Sequence, residues 1–276
     1  MIEIVKSPSS KTFYGLVRES IAQLLFCAPY IKKEVVKEIL ALKQDSTVLS
    51  VITSANAANF VNGSSDVEAI ELLLNNGINV INYQKLHAKI YLFDNKKALI
   101  TSANLTNAAL FRNYEYGILV HEDEVETINK VYSDFVEMMD SELKGEFNKG
   151  TIDRIKKYVK SYKGYKLIKI DEDEDELLPL DERMNMEEHF TKWEKDVFDC
   201  LGMINSSSFR LSQVYGFVPL LQSKHPENHH IKAKIRQTLQ NLRDLGFVKF
   251  IKPGEYKKLW VATHFYGMGD NDRPLK

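Results

Sequence analysis

Cysteine is scarce in this chain. Cys27 and Cys200 are the two that 276 residues carry. Both fall in apolar surroundings, in different parts of the sequence, which suits buried, reduced thiols of a cytoplasmic protein and not a disulfide scaffold. No apolar run approaches the roughly 18 residues of a membrane-crossing helix, and Met1-Ile2-Glu3-Ile4 lacks the pattern of a signal peptide. No membrane role and a cytoplasmic location are therefore expected. Net charge is nearly absent as well: 37 Lys and Arg stand against 38 Asp and Glu, leaving −1. Any nucleic-acid surface must then come from local clustering of basic side chains, not from the overall balance. What is present is a chain 44% hydrophobic and 27% charged, long enough to bury one sizeable core and a smaller one, so two domains are expected.

The first half alternates helical and strand signals. Residues 13–24 pattern as a helix, 25–29 as a short apolar strand, 32–42 as a helix and 47–53 as a strand. Residues 67–75 are again helical, Gly77 punctuates, and 78–82 begin another strand. That is an α/β order. Residues 123–143 predict a long helix and 151–162 a short basic one. Composition then changes abruptly at the six acids from Asp171 to Glu176. Six like charges repel and extend the chain, so a linker is placed over 165–188, between a catalytic and dimerisation domain over 1–164 and a second domain over 189–264, with a tail over 265–276. A sharper reading of the acidic run is a phosphate-backbone mimic that occupies a basic cleft until DNA displaces it.

The most informative string is Lys85-Leu86-His87-Ala88-Lys89-Ile90-Tyr91-Leu92-Phe93-Asp94. Apolar residues at 86, 88, 90 and 92 alternate with His87, Lys89 and Tyr91, which predicts a strand with His87 and Lys89 on one face, two residues apart. A second apolar run, Ala98-Leu99-Ile100, delivers Thr101-Ser102-Ala103-Asn104 to its end. An imidazole, an ammonium, a hydroxyl and an amide can thus converge on one phosphate. Singly, each has a plain structural explanation: a hydrogen-bonded strand histidine, a surface lysine, a helix cap. Their joint spacing points to catalysis.

His87-x-Lys89-xxxx-Asp94 followed by Thr101-Ser102-Ala103-Asn104 resembles the HKD motif of the phospholipase D superfamily, HxKxxxxD then GSxN. Thr101 stands where that family usually has glycine. Glu115 matches the carboxylate that often supports the family's histidine, and Ala28-Pro29-Tyr30 resembles its early strand end. The resemblance implies an α/β/α sandwich over roughly the first 150 residues. It also implies a metal-independent phosphodiesterase without cofactor: Lys89, Ser102 and Asn104 hold the phosphate oxygens, a neutral His87 attacks phosphorus, and Glu115 orients the histidine. Asp94 is grouped with these residues by the motif, more as a structural partner near the strand end. The motif occurs once, so the second histidine has to come from another copy, and a homodimer is expected.

The C-terminal part predicts helices over 190–201, 211–221 and 231–242, the last striped by Ile231, Ile235, Leu239 and Leu242 and ending at Gly246, then a hairpin over 247–261. This is the order of a winged helix. Basic and amide side chains lie off the apolar stripe, so His229, His230, Lys232, Lys234, Arg236, Gln237, Gln240 and Arg243, with Lys252 and Lys257 on the hairpin, are candidates to bind double-stranded DNA. His225, His229 and His230 lack a third ligand type and are broken by Pro226, so no metal site is assigned. Trp260 is expected to pack in the hairpin core. His225-Pro226-Glu227-Asn228, Ile231-Lys232-Ala233-Lys234-Ile235-Arg236-Gln237, Leu242-Arg243-Asp244-Leu245-Gly246-Phe247 and Pro253-Gly254-Glu255-Tyr256 resemble the C-terminal winged helix of the DpnI and Dam-replacing group. The combined expectation is a restriction endonuclease, with reading of N6-methyladenine or of an unmethylated site both open. A phospholipid hydrolase, or a transcriptional regulator whose first domain only dimerises or senses a ligand, are the alternatives.

Overall fold

The computed structural model describes residues 1–162, 168–169, 176–180 and 188–262. In chain order the elements are β1 (Ile2–Lys6), α1 (Ser10–Glu19), β2 (Gln23–Cys27), α2 (Lys33–Leu42), β3 (Val48–Thr53), α3 (Ala57–Val61), α4 (Val67–Asn75), β4 (Asn79–Asn82), β5 (Ile90–Phe93), β6 (Lys97–Thr101), a π-turn (Ala108–Arg112), β7 (Tyr116–Val120), α5 (Val125–Asp140), β8 (Gly145–Glu146) and α6 (Lys149–Ser161). There follow β9 (Ile168–Lys169), β10 (Glu176–Leu180), α7 (Lys192–Gly202), β11 (Ser208–Arg210), α8 (Leu211–Tyr215), α9 (Val218–Lys224), α10 (Ile231–Asp244), β12 (Val248–Lys252), β13 (Glu255–Lys258) and β14 (Trp260–Ala262).

Eight strands form one mixed sheet in the order β1-β7-β6-β5-β2-β3-β4-β8. β2, β3 and β4 run parallel, as crossovers through α2 and α4 require, and the hairpin-linked strands around them run antiparallel. Alternation along the strands splits the apolar residues between two faces. Phe26, Tyr91, Phe93 and Leu99 meet Phe13 of α1, Ile39 of α2, Leu73 of α4 and Tyr158 of α6, whereas Leu25, Leu92 and Val120 meet Ile128, Val131 and Phe135 of α5. The result is the expected α/β/α sandwich. Cys27 and Cys200 are buried and reduced, and burial pushes their thiols up to about 12 and about 11.

The C-terminal elements form the expected winged helix, with a small sheet ordered β11-β13-β12. α7 opens on a capping box in which the Thr191 side chain accepts from the Glu194 amide and Glu194 accepts from the Thr191 amide. α10 buries Ile231, Ile235, Leu239 and Leu242 and ends at Gly246, whose φ of 84° allows the Phe247 amide to reach back to the Leu242 carbonyl at 2.9 Å.

Several boundaries differ from the sequence expectation. Helix α1 stops at Glu19, because Ser20 turns extended and the chain must re-enter the sheet at Gln23. The helix expected over 211–221 is broken between α8 and α9. β5 begins only at Ile90, so His87 and Lys89 sit on the segment leading into it. Tyr91, expected on the polar side, is fully buried. Of the expected linker, Leu177, Leu178 and Leu180 are buried, and β10 pairs in parallel with β14, so residues 177–180 are not solvated. Asp171 to Asp175, and the tail, lie outside the described residues.

Nor do the two expected domains keep separate cores on the sheet face covered by α1, α2, α4 and α6. One apolar cluster runs from Phe13 and Phe60 through Tyr158 to Phe198, Leu242 and Phe247. Backbones meet at Gly246: its carbonyl accepts from the Ala57 amide at 3.1 Å, and a Cβ there would lie 2.6 Å from that nitrogen. The Tyr158 hydroxyl donates to the Leu245 carbonyl at 2.8 Å. Arg154 of α6 forks onto Glu194 of α7, which is 1% exposed.

Candidate active site and nucleic-acid interface

The first candidate site gathers where β5 begins and β6 ends. The Thr101 amide donates to the Lys89 carbonyl at 3.1 Å, extending the pairing of Ile90 with Ile100 by one step. His87 is exposed and Lys89 half-buried, and the Lys89 ammonium donates to the His87 carbonyl at 2.7 Å. On the neighbouring strand Ser102 is bonded both ways, donating to the Glu115 carboxylate and accepting from the Tyr116 amide at 3.1 Å. The second Glu115 oxygen accepts from the Asn113 amide group at 3.1 Å, and the Glu115 backbone is tied to Ser7, whose hydroxyl accepts from the Glu115 amide at 2.6 Å. Asn104 accepts from the Tyr30 amide at 3.4 Å, so the Ala28-Pro29-Tyr30 strand end abuts the same loop.

The structure therefore brings His87, Lys89, Ser102, Asn104 and Glu115 to one end of adjacent strands. Thr101, in place of the family's glycine, fits: its hydroxyl accepts from the Ala103 amide at 3.2 Å. Tyr91, missed as a site residue, holds this loop from beneath. Its hydroxyl donates to the Ala103 carbonyl at 2.6 Å, and full burial raises its pKa well above 10, so the donor stays protonated.

Asp94 is a correction to the catalytic group. It follows β5 while His87 precedes it, which separates them by roughly 20 Å along an extended chain. Asp94 and Asn95, at φ 54° and 53°, form the tight β5–β6 turn. The Asp94 carboxylate accepts from the amides of Ile21, Ala22 and Gln23 at 2.9, 2.8 and 2.9 Å. Burial alone would raise this carboxyl, but the three donors outweigh it and its pKa falls below the ordinary value. Asp94→Ala should therefore cost about 1–3 kcal/mol of stability at neutral pH, read by chemical denaturation, while the folded fraction keeps its turnover rate. A depressed carboxyl stabilises above its ordinary 3.8 and loses that contribution as pH falls through its folded value, so the difference from wild type should narrow in acid.

The second candidate site is the outer face of α10. His229, His230, Lys232, Arg236, Gln237 and Gln240 are exposed, and Lys234 is half-buried. Lys234 donates to Gln237 at 2.8 Å, Arg236 donates to the Tyr215 hydroxyl at 2.7 Å, and the Lys232 ammonium lies 5.3 Å from the Tyr215 ring centre. A cleft of about 380 Å³ opens beside Gln222, His229, His230 and Arg236. On the wing, Lys252 is exposed and 3.3 Å from Glu255.

Two expected DNA contacts do not belong to this face. Arg243 is 6% exposed; its guanidinium lies 4.8 Å from the Phe250 ring centre and pairs with Asp244 at 2.9 Å. Lys257 is 8% exposed because β13 is the middle strand of the small sheet. Its neighbour Lys258 is also buried, donating to the carbonyls of Leu201 and Ile204 at 3.3 and 2.7 Å. His225 is a buried structural residue, 2.8 Å from Asp196 and stacked 3.8 Å over Trp193. Trp260 packs on Phe198 at 4.3 Å.

Residues 16–139 match the family model described as cardiolipin synthase, phospholipase D-like domain, and residues 189–258 match the Dam-replacing helix-turn-helix domain. Among solved structures, the chain is similar to Nuc, a phospholipase D family member from Salmonella typhimurium, at 16% identity, covering 50% of this chain and 95% of that one with a TM-score of 0.42. NucT from Helicobacter pylori matches at 17% identity over 51% and 96%, TM-score 0.41. Phosphatidylserine synthase from Haemophilus influenzae Rd KW20 matches at 14% identity over 58% and 45%, TM-score 0.45.

Proposed function

Since this chain joins a phospholipase D-like domain of a phosphodiesterase-type enzyme to a Dam-replacing helix-turn-helix domain, we propose that it is a restriction endonuclease that cleaves double-stranded DNA without a metal ion. The observation that carries the reading is the convergence of His87, Lys89, Ser102 and Asn104 at one strand end in a chain that also presents the exposed basic face of α10.

The chemistry follows from charge. A phosphodiester repels anionic attackers, so a neutral imidazole is the suitable nucleophile and the Lys89 ammonium offsets the oxygen charge. The His87 nitrogen forms a bond to phosphorus as the bond to the leaving oxygen breaks, and His87 of a second copy gives that oxygen a proton. Water then attacks the phosphohistidine, yields its proton to the second histidine and releases the first. The Asn104 amide group holds a phosphate oxygen, and Ser102 joins it when its one proton turns from Glu115 to the phosphate. Glu115 acts through the Ser102 hydroxyl it accepts from and supports His87 at the assembled site.

A homodimer is part of the proposal. β1 is an edge strand on which Ile2 and Ile4 are 55% and 58% exposed. The register sets Ile4 beside Ile118 and Ile118 beside Ile100. An apolar strip on an open edge suits pairing with a second copy. Target choice falls to α10, where Arg236, Gln237 and Gln240 have the donors and acceptors for guanine and adenine edges. The narrower form of the proposal is that the target carries N6-methyladenine. The test is incubation with adenine-methylated and unmethylated copies of one plasmid in excess EDTA. Cleavage of the methylated copy alone supports the full reading, and equal cleavage removes the methyl requirement. Cleavage only after magnesium is restored overturns the mechanism.

A further inference from the structure

We propose that Gln84 is a positioning residue that ties the segment carrying His87 to the winged helix, so that a docked winged helix is a condition for a competent nucleophile. The inference rests on His87 being that nucleophile. Gln84 lies three residues before His87 and is 5% exposed. Its side chain makes three hydrogen bonds, which exhausts most of what a primary amide can offer. The amide group donates to the Ala55 carbonyl at 3.1 Å and to the Arg243 carbonyl at 3.1 Å, and its oxygen accepts from the Phe250 amide at 3.2 Å. One side chain thereby joins the loop after β3, the end of α10 and strand β12.

The backbone around Gln84 is fixed in turn. The Tyr83 amide donates to the Thr53 carbonyl at 2.8 Å and the Leu86 amide to the Tyr83 carbonyl at 3.0 Å, while the Leu86 side chain packs with Leu25, Cys27 and Leu92. From Leu86 to His87 there is one residue step. A shift of the α10 end therefore moves a bonded side chain in the turn that closes one residue before the nucleophile, and displacements of about 1 Å at a reacting group can cost on the order of a hundredfold in rate. The exposed reading face and the buried tie are on the same helix: Arg236 and Gln240 face outward, and the Arg243 carbonyl holds Gln84.

The test uses Gln84→Ala in the full chain, with DNA and with bis(p-nitrophenyl) phosphate, a diester too small to span both sites. The phosphohistidine burst is followed at a temperature where the variant is folded. The expected result is a burst rate and kcat about ten- to a hundredfold lower on both substrates, with unchanged burst amplitude and with DNA Kd and KM within about twofold. A burst of wild-type rate and reduced amplitude would mean partial unfolding and would overturn the positioning role, as would an unchanged kcat. Hydrogen–deuterium exchange reads the tie without any activity. Gly246→Ala, whose added carbon would collide with Ala57, should raise exchange over residues 84–90 together with 247–252. Exchange rising over 247–252 alone overturns the coupling. A wild type that forms no phosphohistidine, but shows the joint exchange change, refutes the proposed chemistry and leaves the tie standing.

Discussion

His87→Ala is expected to abolish cleavage, with a loss of at least about 10⁴-fold, because the same substitution removes the nucleophile from one copy and the proton donor from the other. Two roles vanish at once, so the residual rate should be close to that without protein. DNA affinity should change by less than about twofold, since the substitution leaves the exposed basic side chains of α10 in place. Gel-based cleavage and fluorescence anisotropy on the same preparation separate the two quantities. The distinctive check is a mixture: if His87→Ala protein exchanges subunits with wild type, activity should fall as the square of the wild-type fraction, because each site needs both histidines. A linear fall would mean that one chain suffices and would sink the composite site.

Arg154→Ala carries the largest expected cost in stability, about 3–5 kcal/mol, the usual consequence of leaving one member of a buried ion pair behind. Glu194 is 1% exposed, and with Arg154 gone its carboxylate still accepts from the Thr191 amide and the Asn241 amide group. Burial by itself raises its carboxyl. In the wild type Arg154 and the capping box reverse that, and the pKa is lowered. A depressed carboxyl gives stability above its ordinary value of 4.5 and loses it as pH falls through the folded value, whereas an unpaired buried carboxyl is relieved by protonation. The gap between Arg154→Ala and wild type should thus be widest near pH 7 and shrink below about pH 4.5. Urea denaturation at the two pH values measures it. A gap independent of pH would show that lost packing of the arginine stem, not charge, sets the cost.

Much of this was legible in the sequence, where the determinants are local. The spacing of His87, Lys89, Ser102 and Asn104 needs only two neighbouring strands in register, and the stripe Ile231, Ile235, Leu239, Leu242 needs only helical periodicity. Arg243 was misread because its burial depends on Asp244, Phe250 and Gly145, the last nearly a hundred positions away in the chain. Lys257 was misread because nothing local says that β13 becomes a central strand. Tyr91 alternates with the apolar run as a polar residue would, but the face it occupies is covered by α1. Gln84 gave no signal at all: two of its three partners lie 159 and 166 positions further on. Short glutamine-containing turns are ordinary, and only tertiary docking distinguishes this one.

The unbroken core has a consequence for engineering. Readers of other DNA sites could be grafted onto a catalytic unit by cutting and rejoining at a linker if the two halves were merely tethered. Here the graft would also have to bring a glycine at position 246, a glutamate at 194 and carbonyl and amide groups shaped to meet Gln84. Chimeras joined by length and composition alone should express as proteins with an exposed apolar seam, and those that carry over these few residues should be the ones that cut.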